Sequence, residues 1–272
     1  MKDPLQYEGK RVVVTGAASG MGESCATILN GLGAEVHGVD IKAGQAPVAA
    51  FHLCDLADRG QIDRTVAEIG GPVDSLFNCA GLPTTAPGQK IVLVNFVGHR
   101  HLTEAVLPLM SEGASIGFIS SVAGMGWTPN FATLLPLLET EDFDSAKAWC
   151  EAHDDLIGLN GYGFSKEAIN AYVAHRGCQL APQGIRLNSI NPGPTETPMM
   201  PSFVESMGED FFARFPKPVG RNSRPEEQAW ALVMLNSPRS SYTTATSLFT
   251  DGGFTGGLFT GGIDFSALMP GG

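Results

Sequence analysis

In Arg11-Val12-Val13-Val14-Thr15-Gly16-Ala17-Ala18-Ser19-Gly20-Met21-Gly22, a β-branched run stops at a glycine, as a buried parallel strand does where it leaves its sheet. A helical pattern follows through Ile28, Leu29 and Leu32 and is ended by Gly33. Strand, glycine-rich turn and helix together make an anion site. The glycines let backbone approach a pyrophosphate while N–H groups at the helix N-terminus point at it. Gly16, Ser19, Gly20, Met21 and Gly22 are the candidate contacts. Their spacing, G-x-x-x-G-x-G, differs from the commoner dinucleotide fingerprint G-x-G-x-x-G.

Downstream, Glu35-Val36-His37-Gly38-Val39 reads as a second strand ending in Asp40, about 20 residues beyond the turn. A carboxylate there accepts hydrogen bonds from both hydroxyls of an adenosine ribose and repels a 2′-phosphate, so the expected cofactor is NAD. Ile41 and Ser19, neither of them basic, agree with that choice. The apolar Ala49-Ala50-Phe51-His52-Leu53 leads to Cys54-Asp55-Leu56. Asp55, flanked by Leu56, stands at another strand end and either meets an adenine amino group or caps the helix running from Asp58 to Ile69. Asp74-Ser75-Leu76-Phe77-Asn78 is a fourth strand, closing with Asn78-Cys79-Ala80-Gly81. Strands alternating with helices make the class α/β, a doubly wound parallel sheet of about seven strands with helices on both faces.

The chain of 272 residues is long enough for one such domain spanning 1–272. With 43% hydrophobic and 17% charged residues it reads as globular rather than disordered. A net charge of −11 argues against a nucleic-acid partner, which needs a basic footprint. There is no apolar run of about 18 residues, and Met1–Glu8 lacks a signal-type apolar stretch, so neither membrane nor export is expected. Five scattered cysteines without a C-x-x-C pair favour reduced thiols and a cytoplasmic location. The six histidines include no H-E-x-x-H, and no catalytic metal is expected.

Tyr162-Gly163-Phe164-Ser165-Lys166 puts a tyrosine and a lysine one turn apart on one helix face. An ammonium near a phenol favours phenolate, and is expected to pull the tyrosine below its ordinary value of about 10 toward use as a general acid/base. Ser115-Ile116-Gly117-Phe118-Ile119 is a fifth strand ended by Ser120-Ser121, and ligands in such sheets sit beyond the carboxyl ends of strands. Asn95 falls in a helix expected from Gln89 to Met110, where it is either a surface polar position or present for a reason beyond helix propensity.

The Thr15–Gly22 turn, Asp40, Asn78-Cys79-Ala80-Gly81 and Tyr162–Lys166 together resemble the short-chain dehydrogenase/reductase family, over almost the whole chain. The resemblance implies an NAD-dependent oxidoreductase of Rossmann type. In it Tyr162 is the acid/base, and Lys166 lowers its pKa and holds the nicotinamide ribose. Ser121 bonds the substrate oxygen while Ser120 faces structure. Asn95 distorts its helix and holds a water that contacts the lysine. Asn78, Ala80 and Gly81 would flank the cofactor. So would Pro192, Gly193, Thr195 and Thr197, in the turn Asn191–Pro198 after a sixth strand, Gly184–Ile190. Cys79 stands where most members have a second asparagine, and is expected mainly to pack the sheet core. A non-catalytic nucleotide sensor on the same fold is the rival, but such proteins typically lose the tyrosine or the lysine.

Between Ser121 and Tyr162 the chain is far longer than the dozen or so residues of ordinary members. The resulting insertion, residues 124–160, holds the apolar Thr133-Leu134-Leu135-Pro136-Leu137-Leu138, with Pro136 kinking or starting that piece. It continues into a helical Asp142–His153 with Phe143, Ala146, Trp149 and Cys150 on one face. Such an excursion is an oligomer interface, a substrate lid or both. It resembles the bacterial 3α-hydroxysteroid dehydrogenase/carbonyl reductases, which implies a dimer made through the inserted helices, and the coniferyl-alcohol dehydrogenases. A homodimer or homotetramer is expected. Met125, Trp127, Pro194, Met199, Met200 and Phe203 are candidates to line a pocket for a bulky apolar alcohol or ketone, and the Met- and Phe-rich 199–215 suits an adaptable cover. Helix starts at Arg224-Pro225, a last strand at Ser247–Thr250, and a glycine-rich tail over 254–272 carries Ile263, Phe265, Leu268 and Met269.

Overall fold

The structure, a computed structural model, describes residues 3–158 and 160–264. Phe265, Leu268 and Met269 of the tail lie outside the described residues. Seven parallel strands among the described residues form one sheet: β1 (Arg11–Thr15), β2 (Glu35–Asp40), β3 (Ala50–Leu53), β4 (Ser75–Asn78), β5 (Ser115–Ile119), β6 (Arg186–Pro192) and β7 (Ser247–Thr250). Their order is β3-β2-β1-β4-β5-β6-β7, so direction of winding reverses between β1 and β4. That reversal opens a crevice at the carboxyl ends of the strands.

Both faces of the sheet are covered, which is why its strands read as continuous apolar runs rather than alternations. Val12, Val14, Phe77 and Ile190 face α1 (Gly20–Gly31) and α11 (Pro225–Asn236), whereas Val13, Leu76, Phe118 and Leu187 face the opposite core. That second core is closed by α2 (Arg59–Ile69), α4 (His99–Val106) and α8 (Gly161–Leu180). Helix ends follow sequence chemistry. Gly33 N–H bonds to Asn30 O at 3.0 Å and Ala34 N–H to Leu29 O at 3.1 Å, the paired closure of a Schellman turn. Asp58 caps α2 by accepting from Gln61 N–H at 3.0 Å, so the capping alternative considered for Asp55 falls to its neighbour.

The helix expected from Gln89 to Met110 is helical but not uniform. It runs as α3 (Gly88–Val92), a π-helical turn (Leu93–Gly98), α4 and a 3₁₀ turn (Leu107–Leu109). The π turn, centred on Asn95, is the helix distortion expected there.

The insertion supplies α5 (Trp127–Leu138), α6 (Phe143–Ala152) and α7 (Asp154–Ile157). Pro136 neither starts nor interrupts α5. It lies inside the last turn, where its missing N–H leaves the Ala132 carbonyl without the i→i−4 partner it would otherwise have. Asp142 and Ser145 form a reciprocal capping box at the start of α6. The apolar stripe turns inward: Leu134, Leu137, Phe143, Ala146, Cys150 and Ile157 are buried in the chain's own second core. Arg100 of α4, itself 5% exposed, ties the piece down by donating to Leu137 O (3.0 Å), Leu138 O (3.1 Å) and Asp142 O (3.0 Å). A buried cation there satisfies the carbonyls that end α5.

Candidate active site

A cleft of about 660 Å³ lies over the carboxyl ends of the central strands. Its floor at one end is the glycine turn. Gly16 has φ +69, and a Cβ on it would stand 2.8 Å from Ala80 Cα; one on Gly22 would stand 2.3 Å from Gly16 O. The turn is therefore sealed against the end of β4, with Ser19, Gly20 and Met21 lining the cleft and Gly22 behind them. Ser19, the N-cap of α1, makes no side-chain capping bond, which leaves the first-turn N–H groups to an incoming anion.

Asp40 lines the cleft at the end of β2, its Oδ2 accepting from Ala18 N–H at 3.1 Å and its Oδ1 from Lys42 N–H at 3.3 Å. Asp55 and Leu56 border the same end, Asp55 accepting from Ala57 N–H at 2.8 Å. Ala80 and Gly81 line the middle, and Pro192, Gly193, Thr195 and Thr197 the far end. Asn78 is not among the lining residues. It is buried, and its Nδ2 donates to Thr103 Oγ1 at 3.1 Å. Cys79, expected as core packing, is on the wall as well as against the core, and burial pushes its thiol well above the ordinary range. An open helix N-terminus, a strand-end carboxylate and a proline-stiffened turn opposite them fit a dinucleotide. Among the described residues, no three His, Cys, Asp or Glu are grouped to hold a metal ion.

Tyr162 and Lys166 stand on α8, whose first turn is set by Asn160 accepting from Gly163 N–H at 3.0 Å. Both line the cleft with Ser121, whose hydroxyl also accepts from Ala123 N–H at 3.1 Å. Ser120 borders the cleft too, but its hydroxyl donates to Lys166 O at 3.0 Å. Lys166 Nζ lies 5.5 Å from the centre of the Tyr162 ring and donates to Ile119 O at 2.8 Å. Here the expected direction of the tyrosine shift is overturned. Burial pushes the Tyr162 phenol up to about 12, opposed by the Ser121 side chain, and pushes Lys166 down to about 8. The cation is turned to a carbonyl rather than to the phenol oxygen, so desolvation outweighs it.

Asn95 is buried, not a surface position. Its Oδ1 accepts from Leu82 N–H at 2.7 Å and its Nδ2 donates to Leu82 O at 3.3 Å, pinning the loop after β4 beside the cleft. The cleft's cover comes from α9 (Met200–Met207) and α10 (Glu209–Arg214), which present Met200, Phe203, Met207, Phe211 and Phe212. Met125, Pro194 and Met199 line it as expected, but Trp127 does not. Trp127 sits at the start of α5, edge-to-face with Phe131 at 6.3 Å and packed on the second core. The insertion reaches the cleft wall at Met125 and Asn160, whereas its helices α5, α6 and α7 contribute no lining residue. Sequence reasoning missed Asn160, Lys90 and Phe254 at the cleft wall. Asn160 had a visible signal, an asparagine directly before a helix start.

Known proteins agree with this geometry. A family model described as short chain dehydrogenase matches residues 10–133, and one described as Enoyl-(Acyl carrier protein) reductase matches residues 150–255. A coniferyl-alcohol dehydrogenase of a Pseudomonas species is 30% identical over 92% of this chain and 98% of its own. A 3-alpha-hydroxysteroid dehydrogenase/carbonyl reductase of Comamonas testosteroni is 32% identical over 89% of this chain and 95% of its own. The crystal structure of a 3-alpha-hydroxysteroid dehydrogenase from another Pseudomonas species, complexed with NADH, superposes with a TM-score of 0.77 at 29% identity. It covers 94% of this chain and 100% of that one.

Proposed function

The chain belongs to the short-chain dehydrogenase/reductase family and is an NAD(H)-dependent oxidoreductase acting on CH–OH groups, and on that premise we propose that it interconverts an alcohol and a carbonyl on a bulky apolar substrate, a 3α-hydroxysteroid or its ketone. The observation that carries this reading is the Met- and Phe-rich cover that lines the same cleft as Tyr162 and Ser121, with Phe203 packed against the Tyr162 ring. Apolar clefts with a few converging polar groups select bulky ligands by shape and orient them by those groups. An aromatic alcohol such as coniferyl alcohol is the second reading, favoured by the 30% identical relative.

In oxidation Tyr162 takes the proton of the substrate hydroxyl, and in reduction it returns that proton to the carbonyl oxygen. Ser121 holds the same oxygen. Lys166, 5.5 Å from the centre of the Tyr162 ring, would hold the nicotinamide ribose of the bound cofactor. Asn95 fixes the π turn and the Leu82 loop beside them. Bound NAD supplies the hydride chemistry. Its phosphates would be held by the N-terminus of α1, its adenosine ribose by Asp40 and its carboxamide by the 192–197 turn. The whole chain acts as one catalytic domain.

NADH formation followed by absorbance, with a 3α-hydroxysteroid and with coniferyl alcohol, separates the two substrates by kcat/KM. Tyr162→Phe is expected to keep NADH binding and lose about 10²- to 10⁴-fold in turnover. Near-normal turnover in that variant would sink the assignment.

Self-association belongs to the same reading. Trp230 and Met234 on α11 are 44% and 56% exposed, and Leu248 is 45% exposed on the edge strand β7, which α11 meets where Gln228 Nε2 donates to Thr250 O at 2.8 Å. A second copy of this chain would cover that face, and Trp230→Glu is expected to halve the mass in light scattering.

A further inference from the structure

Of the buried titratable groups that the reaction leaves unused, one lies between the cofactor floor and the π turn. His99 is 1% exposed, and both ring nitrogens are engaged. Nδ1 is 3.1 Å from Asn95 O, and Nε2 is 3.0 Å from Thr15 Oγ1. A carbonyl only accepts, so Nδ1 carries the proton and Nε2 is the acceptor. The Thr15 hydroxyl must then donate to Nε2. Its two lone pairs take the Cys79 N–H at 2.9 Å and the Ala80 N–H at 3.1 Å. Every strong donor and acceptor of the set is used once, and a single tautomer satisfies all of them. The ring is steadied edge-to-face by Phe118 at 6.1 Å.

What this chain of bonds joins is specific. Cys79 and Ala80 belong to the strand end against which Gly16 closes the glycine turn. Asn95 is the residue at the centre of the π turn and holds the Leu82 loop. An apolar side chain at position 99 would fill space but leave the Thr15 hydroxyl without its acceptor, and Thr15 could then turn its proton toward Phe77 O at 3.5 Å, away from the present geometry.

We infer that His99 is a positioning residue that sets the cofactor floor, acting through the Thr15 hydroxyl on the Cys79–Ala80 backbone and through the Asn95 carbonyl on the π turn. This rests on the reading of the cleft as an NAD site. It touches neither substrate nor cofactor, and works by holding two other segments in register.

The test uses the full chain. Amide hydrogen exchange at Cys79 and Ala80 is measured without cofactor, and the NADH dissociation constant by fluorescence titration, for wild type, His99→Leu, His99→Gln, Thr15→Val and the Thr15→Val/His99→Leu pair. His99→Leu is expected to speed exchange at those two amides and to weaken NADH about tenfold, the effect of one lost buried hydrogen bond. His99→Gln, with an amide donor and a carbonyl acceptor, should recover most of both. In exchange at the Cys79 and Ala80 amides the pair should be no worse than Thr15→Val alone, because both changes cut the one path to those amides. With substrate present, KM for NAD should rise more than kcat falls. Unchanged exchange and NADH affinity in His99→Leu, or strictly additive losses in the pair, would overturn the inference. If His99→Leu does not fold, His99→Asn, too short to bridge both partners, takes its place in the same comparison. Wild-type NADH binding is read separately and bears on the NAD site itself, not on His99.

Discussion

The ring of Phe203 meets that of Tyr162 edge to face, with centroids 5.0 Å apart and planes at 77°. The cover of the cleft thus rests directly on the proposed acid/base. A hydroxyl–hydroxyl bond between Ser206 of α9 and Thr84 ties the same cover to the loop after β4. Removing the ring as Phe203→Ala should loosen the fit of a bulky substrate and admit water beside the phenol. An aromatic pair is worth about 0.5–1.5 kcal/mol beyond area burial, so kcat/KM for a steroid should fall about three- to tenfold or somewhat more. Steady-state rates with a steroid and with a small alcohol check this. Equal losses for both would show that Phe203 does not act through substrate fit.

Asp40 holds its carboxylate at the cleft through two backbone N–H donors, and a carboxylate has room to accept more. Asp40→Ala should weaken NAD by about ten- to a hundredfold, as loss of hydrogen bonds to a charged acceptor does. NADP should gain in relative terms because the repulsion of its 2′-phosphate is gone. Ratios of kcat/KM for the two cofactors decide it. A wild type that used NADP as well as NAD would remove the role given to Asp40.

Arg100 is a stability residue, not a site residue. Its three bonds run to carbonyls of the insertion, and neither it nor α5, α6 and α7 line the cleft. Arg100→Met keeps the apolar stem but strands those carbonyls, at a cost of about 2–4 kcal/mol. The urea midpoint should drop accordingly, while KM of the folded enzyme stays where it was. A changed KM with an unchanged midpoint would return the insertion to the role of a lid.

What could be read from the chain was what short range dictates. The glycine turn, the strand-end Asp40 and Ser121, and the Tyr162–Lys166 spacing each follow from local geometry, and of the turn Gly16, Ser19, Gly20 and Met21 face the same cleft as the others. Asn95 was legible as an oddity in a helix and became the centre of a π turn. The failures share a cause, since they depend on what distant segments do. Trp127 is no more apolar than Phe203, but one packs on the chain's own core and the other roofs the cleft. The Tyr162 shift was assigned from a neighbouring charge, whereas its sign is set by burial that only the assembled site supplies. His99 had no signal at all, because its partners Thr15 and Asn95 meet only when β1 and the π turn pack together.

The same imidazole gives an acid dependence of stability. Burial, with Lys166 nearby, lowers His99 from 6.5 to about 4. Between those values the unfolded chain binds a proton that the folded chain refuses, so stability falls as pH drops through the window. Between pH 7 and pH 5 this group alone should cost about 2 kcal/mol. Carboxylates held low by partners, such as Glu227 at about 2, lose their contribution only as pH falls below the ordinary carboxylate range, so they scarcely enter that interval. Urea unfolding of wild type and His99→Gln at pH 7 and pH 5 measures the difference. The variant should start less stable and lose about 2 kcal/mol less on acidification. Parallel losses in the two proteins would mean that His99 takes up its proton in the folded state as readily as in the unfolded one, and that the buried, neutral tautomer bonded to Thr15 and Asn95 is wrong.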